Sequence, residues 1–262
     1  MSTEWNKMSN FAHLLETKIE MNNTPPVTKN LIIINLLCFL ATWVLGREAY
    51  GINLNDILGM HFCGAEKFNL YQIFTYMFMH ADFGHLFFNM FALWMFGRVL
   101  ESVWGSQQFL FFYILCGMGA GLVQQGVQCV ELLPYVHDLK LFEARPSGEM
   151  ITINNTSMMA SQWVDLCNST LNRALVVGAS GAVYAILMAF AMIFPNQPMY
   201  IIPFPMPIKT KWVIIGYIVI ELYLGVTGND GVAHFAHLGG MIFGFLLIMY
   251  WKKKGTFHGR HS

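Results

Sequence analysis

The chain has 262 residues, of which 55% are hydrophobic and 15% aromatic but only 11% charged. A soluble domain carries about 25% charged residues, and disorder requires low hydrophobicity, so both classes are excluded. Lys and Arg (15) balance Asp and Glu (15), which leaves no basic surface for nucleic acid. The class that remains is an integral membrane protein embedded in the lipid bilayer by several spans.

A bilayer core of about 30 Å takes about 20 mostly apolar helical residues. In chain order, stretches with few or no charges predict spans over 30–46, 84–103, 107–126, 178–194, 211–226 and 232–251. The expected fold is an all-α polytopic bundle of six transmembrane helices occupying 30–251. Residues 1–29 are polar, end near Pro25-Pro26, and lack the basic-then-apolar order of a cleavable leader. They read as a cytoplasmic tail, with span 1 as its own insertion signal. Lys252, Lys253 and Lys254 abut span 6 and open a basic tail over 252–262. Cytoplasmic flanks collect Lys and Arg, so both termini are expected in the cytoplasm, with Arg98, Lys209 and Lys211 on the same side. Residues 47–82 and 127–173 then fall outside. The second of these reads as an extended outer loop between spans 3 and 4, with apolar stretches suited to the membrane surface.

The five cysteines show no CxxC and no metal-ligand spacing. Cys38 and Cys116 fall in spans. Cys129 and Cys167 share the outer 3–4 segment and are a candidate pair if the outside is oxidising.

Polar groups inside spans are costly and point to function. Span 4 opens with Gly178-Ala179-Ser180-Gly181. Small residues there serve helix packing, or Ser180 is a nucleophile at a helix N-terminus, where free backbone N–H groups favour a developing oxyanion. A hydroxyl needs a base, and span 6 offers His234 and His237, three apart on one helical face. Gly240 and Gly244 permit a close helix contact that would bring such a histidine to Ser180. His237 shares their face, whereas His234 lies a turn nearer the Asp230 loop, where water can satisfy it. Span 2 carries His80, His85 and Asn89. The last two are four apart, both can donate hydrogen bonds, and they suit either an oxyanion site or a structural polar pair.

In this order and spacing, HxxxxHxxxN (His80, His85, Asn89), GxSG (Gly178, Ser180, Gly181) and AHxxGxxxG (Ala236, His237, Gly240, Gly244) resemble the rhomboid family of intramembrane serine proteases, over about 68–125 and 176–249. The resemblance implies a six-helix core and a Ser–His dyad of Ser180 and His237. It implies an oxyanion site from His85, Asn89 and the Ser180 backbone N–H. Tyr184 matches a tyrosine that packs on the catalytic histidine, and His80 a histidine of structural or polar-cavity role. Where the family often has Trp-Arg before span 2, this chain has Tyr71-Gln72. Glu221 falls in the middle of span 5, where it reads as a protonated or snorkelling acid facing a watery cavity or as lining the substrate entrance.

The implied activity is serine endopeptidase cleavage in or near transmembrane segments of single-span membrane proteins, in a bacterial inner membrane. Neither metal, nucleotide nor other cofactor is required. Three other readings make different demands on the sequence. A silent rhomboid-like protein that binds membrane-protein clients would lack the serine or histidine, and both are present. A metal enzyme using His80, His85, His234 and His237 would want HExxH or acids at ligand spacing. A transporter would want repeats between its halves.

Overall fold

The structure, a computed structural model, describes residues 24–47, 50–153, 155–200, 206–228 and 232–255. Most of the N-terminal tail, the Asp230 loop and the end of the basic tail lie outside the described residues.

Pro26 opens helix α1 (Pro26–Leu45), at the one turn where a missing N–H costs nothing. The acceptor for the remaining first-turn donors comes from far along the chain. The buried Glu101 carboxylate accepts from Val27 N (2.9 Å), Thr28 N (2.7 Å) and Thr28 Oγ1 (2.8 Å), and from Ser106 Oγ at 2.7 Å. A buried acid is tolerable only when so satisfied, and here it ties α1 to the turn between spans 2 and 3.

The segment after α1 forms a short helix α2 (Leu54–Leu58), strand β1 (Met60–His61), helix α3 (Gln72–Thr75) and a 3-10 turn at Tyr76–Phe78. Gln72, of the Tyr71-Gln72 pair, is buried. Its Nε2 donates to the carbonyls of Ile57 (3.1 Å) and Lys67 (3.0 Å), and its Oε1 accepts from His61 N (3.3 Å) and Asn69 N (3.1 Å). The loop is therefore anchored by an amide using all four of its hydrogen-bonding sites.

Helix α4 (Phe83–Trp104) follows, with a π-helical turn at Leu93–Gly97. Helix α5 (Ser106–Glu143) is 38 residues long. At 1.5 Å per residue it reaches about 57 Å, roughly twice the bilayer core. The 127–173 stretch is thus not an extended loop. It holds the end of α5, a hairpin of β2 (Met150–Ile153) and β3 (Thr156–Met159), and helix α6 (Ala160–Arg173), which returns along α5 with Trp163 against Phe142 (ring centroids 5.9 Å). Strand β4 (Leu175–Val176) pairs antiparallel with β1, Met60 opposite Val176 and His61 opposite Leu175.

The central helix, α7 (Ser180–Ile193), buries Gly181, Ala182, Val183, Ala185, Ile186, Leu187, Ala189, Phe190 and Ala191. Small side chains let neighbouring helices approach where no aqueous hydrophobic effect drives them together. A hairpin of β5 (Pro198–Met199) and β6 (Ile208–Lys209) precedes helix α8 (Thr210–Thr227), and helix α9 (His234–Lys254) completes the bundle. Among the described residues, five helices (α1, α4, α5, α8 and α9) are long and apolar enough to cross a membrane, and α7 is a shorter apolar helix. At 14 residues α7 reaches only about 21 Å, less than the thickness of the core.

Among the cysteines, the neighbour of Cys129 is Cys63, with the two Sγ atoms 3.8 Å apart. Cys167 is buried in α6, so the expected pairing of Cys129 with Cys167 is replaced by a Cys63–Cys129 pair of free thiols. Residue spacing carried no hint of it, because Cys63 reaches α5 only through the folded loop.

Candidate active site

The first turn of α7 is fixed from behind. Gly178 donates its N–H to the carbonyl of Tyr76 (2.9 Å) and has φ +129°, a left-handed value that side-chain-bearing residues avoid. A Cβ at this position would lie 2.7 Å from both Cε1 and Nε2 of His85 and 3.5 Å from Ser180 Oγ. Gly178 therefore brings the His85 ring and the serine hydroxyl against one face of the backbone. Ser180 is the first residue of α7, where the backbone N–H groups have no helical acceptor.

Helix α9 meets α7 at its glycines. A Cβ on Gly240 would fall 1.9 Å from the Gly181 carbonyl oxygen, and one on Gly244 3.0 Å from that of Ala185. This backbone contact sets His237 Nε2 2.9 Å from Ser180 Oγ. Tyr184, one turn along α7, lies flat on the His237 ring, with centroids 4.2 Å apart and planes 6° from parallel. His237 is buried, so its tautomer is set by these neighbours and not by water.

The ring of His80, just before α4, meets that of His85, on α4, edge to face at 5.1 Å. Neither ring nitrogen of His80 meets a hydrogen-bonding group among the described residues. Asn89 Nδ2 donates to the carbonyl of His85 at 3.0 Å, so at rest this amide is turned along its own helix and makes no hydrogen bond to Ser180 among those described.

Span 5 departs most from expectation. Glu221, on α8, is neither a snorkelling acid nor an open lining of an entrance. It is buried, at 5% exposure, and its carboxylate gathers three side chains from two other helices. His237 Nδ1 lies 3.0 Å and His234 Nδ1 2.7 Å from Oε2, and Tyr184 Oη donates to Oε1. His234, read as water-satisfied, is likewise buried and bound to this acid. Sequence spacing did not reveal the cluster, because Glu221 lies 37 residues from Tyr184 and 16 from His237 with only helix register to align them. The four-histidine metal set is also divided, since His80 and His85 pair at the start of α4 while His234 and His237 meet Glu221. The ligand atoms of Glu221, His234 and His237 lie within 4.8 Å of one another, a group of the kind that holds a metal ion, although here the same atoms hydrogen-bond to each other.

The chain is 25% identical over 214 residues to RHOMBOID-like protein 12, mitochondrial, of Arabidopsis thaliana, covering 82% of this chain and 55% of the relative. It is 29% identical over 177 residues to Rhomboid protease AarA of Providencia stuartii, covering 65% and 52%. It is 28% identical over 100 residues to Rhomboid protease GlpG of Salmonella choleraesuis (strain SC-B67), covering 38% and 35%. The chain thus spans about half the length of the first two. The Rhomboid domain model matches residues 67–131 and 142–254, most of the chain and every residue of the cluster around Ser180, and the protein is a member of the rhomboid family.

Proposed function

We propose that this protein is an intramembrane serine endopeptidase that cleaves single-span membrane proteins. The observation that carries the reading is the 2.9 Å contact between Ser180 Oγ and His237 Nε2, at the N-terminus of a helix too short to fill the membrane. A transmembrane substrate hides its carbonyls in its own hydrogen bonds, so a stretch of it must unwind at Ser180. Ser180 Oγ attacks the exposed carbonyl carbon while His237 Nε2 takes the hydroxyl proton. The oxyanion is met by the Ser180 N–H, by the His85 ring and by Asn89 once its amide turns from the His85 carbonyl. His237 returns the proton to the departing amine, and water then deacylates the serine by the same route. Gly178 and Gly181 keep the serine accessible, Tyr184 steadies the base, and His80 lines the polar space behind His85.

The Lys252–Lys254 cluster at the end of α9 supports cytoplasmic termini and a site opening to the outer face, as in a bacterial inner membrane. A fluorophosphonate probe tests the nucleophile, and the expected adduct maps to Ser180 and is lost in Ser180→Ala. A wild-type protein that takes no label and cleaves no substrate would instead be a client-binding member of the family.

A further inference from the structure

We propose that Glu221 is the third member of a Ser180–His237–Glu221 triad, a positioning residue that holds the base in its productive tautomer. The inference rests on the protease reading above and deepens it, since a Ser–His pair alone leaves Nδ1 of the base unassigned.

The hydrogen bonds determine the tautomer. A carboxylate only accepts, so Tyr184 Oη must donate to Oε1, and the Nδ1 atoms of His234 and His237 must donate to Oε2. With the Nδ1 proton of His237 committed to Glu221, Nε2 carries the lone pair, and Nε2 is the atom 2.9 Å from Ser180 Oγ. When Oγ bonds to the substrate carbonyl carbon, its proton moves to Nε2. The resulting imidazolium lies beside the carboxylate, and the Nε2 proton leaves with the amine as the C–N bond breaks. Glu221 keeps no proton at any stage.

The position of Glu221 argues against a packing role. The buried residues of α8 are Thr210, Val213, Ile214 and Glu221, so the outer half of the helix buries an acid and no apolar residue. Around it, Ile215, Val219, Ile220, Leu222, Tyr223 and Val226 are exposed. A lone carboxylate in such a place is costly, and the three donors offset that cost. Because α8 carries Glu221 while α7 and α9 carry Ser180 and His237, the triad is complete only when α8 is docked.

The titratable groups facing His237 are Glu221 from α8, His234 from α9, and Tyr184 from α7, with His85 of α4 and Tyr217 of α8 around them. Glu221→Gln removes the negative charge nearest the base and places an N–H among the three donors. With a labelled single-span substrate in lipid vesicles, the variant should lose kcat by at least about 100-fold, with KM little changed. Glu221→Asp, which keeps the negative charge, should recover part of the lost kcat. Unchanged kcat, or a loss carried mainly by KM, overturns the proposal. Histidine-selective 15N NMR of wild type decides independently if the variant does not fold: His237 protonated at Nδ1 is expected, and protonation at Nε2 overturns it. Failure of the protease reading would be recognised separately, as a wild-type protein whose Ser180 neither labels nor cleaves.

Discussion

Attack by Ser180 would leave a negative charge between the start of α7 and the flank of α4, and the two donors on α4 are not equally ready for it. The His85 ring already lies against Gly178 beside the serine, whereas Asn89 is bonded to the His85 carbonyl and must turn. His85→Ala and Asn89→Ala should each lower kcat, by up to about 100-fold, with the larger loss at His85, read by initial rates at saturating substrate. Unchanged turnover in the double variant would assign both residues to structure. The two histidines of α9 separate in the same assay. His237→Ala should be silent toward substrate and probe alike, since Nε2 of that ring alone faces Ser180. His234→Ala should keep measurable activity, because Glu221 retains Tyr184 and His237 as donors.

Single contacts decide how the elements dock. Glu101→Ala would leave four donors of α1 and the α4–α5 turn without their acceptor. Each buried donor so orphaned costs about 1–3 kcal/mol, so the variant should unfold at a markedly lower denaturant concentration in mixed micelles. Gly240→Ala would press a methyl into the Gly181 carbonyl and push α9 from α7, so activity should fall even where the protein still inserts. In the C-terminal half of α5, a mild oxidant should join Cys63 to Cys129, not Cys129 to Cys167, as peptide mapping under non-reducing conditions would show. Burial and the neighbouring Cys129 thiol push the Cys63 thiol up from its usual range. The thiolate is the reacting form, so the cross-link should form faster as pH rises toward that raised value.

Across the whole molecule, the readable features were those with a short period or a fixed local spacing. The apolar stretches mark five of the helices and the shorter α7, and motifs of four to ten residues bring His85, Ser180 and His237 onto facing surfaces, with Tyr184 one turn after Ser180. Features that depend on register between distant helices were not readable. Glu221 looked like an isolated acid in a span because its three partners come from α7 and α9. The outer half of α5 looked like a loop because Glu131, Asp138, Lys140 and Glu143 interrupt the apolar run and Pro134 falls within it. In water beyond the bilayer, a helix tolerates such charges, and α6 packs along it. This folded outer region gives the proposed topology a clear test. A single cysteine at Ser147 should react with an impermeant maleimide on intact cells, and one at Ser262 only after lysis; labelling of Ser262 from outside would invert the arrangement.

The central claim is that Ser180, activated by His237, cuts a peptide bond within the membrane. Its most direct test is purified wild type and Ser180→Ala in lipid vesicles with a fluorogenic single-span substrate, and with the cleaved bond located by mass spectrometry. The replacement removes one oxygen and leaves the small volume that α7 requires, so both proteins should fold alike. Wild type should release product from a bond in or near the transmembrane segment, and Ser180→Ala should release none. Equal cleavage by the two proteins would contradict the account.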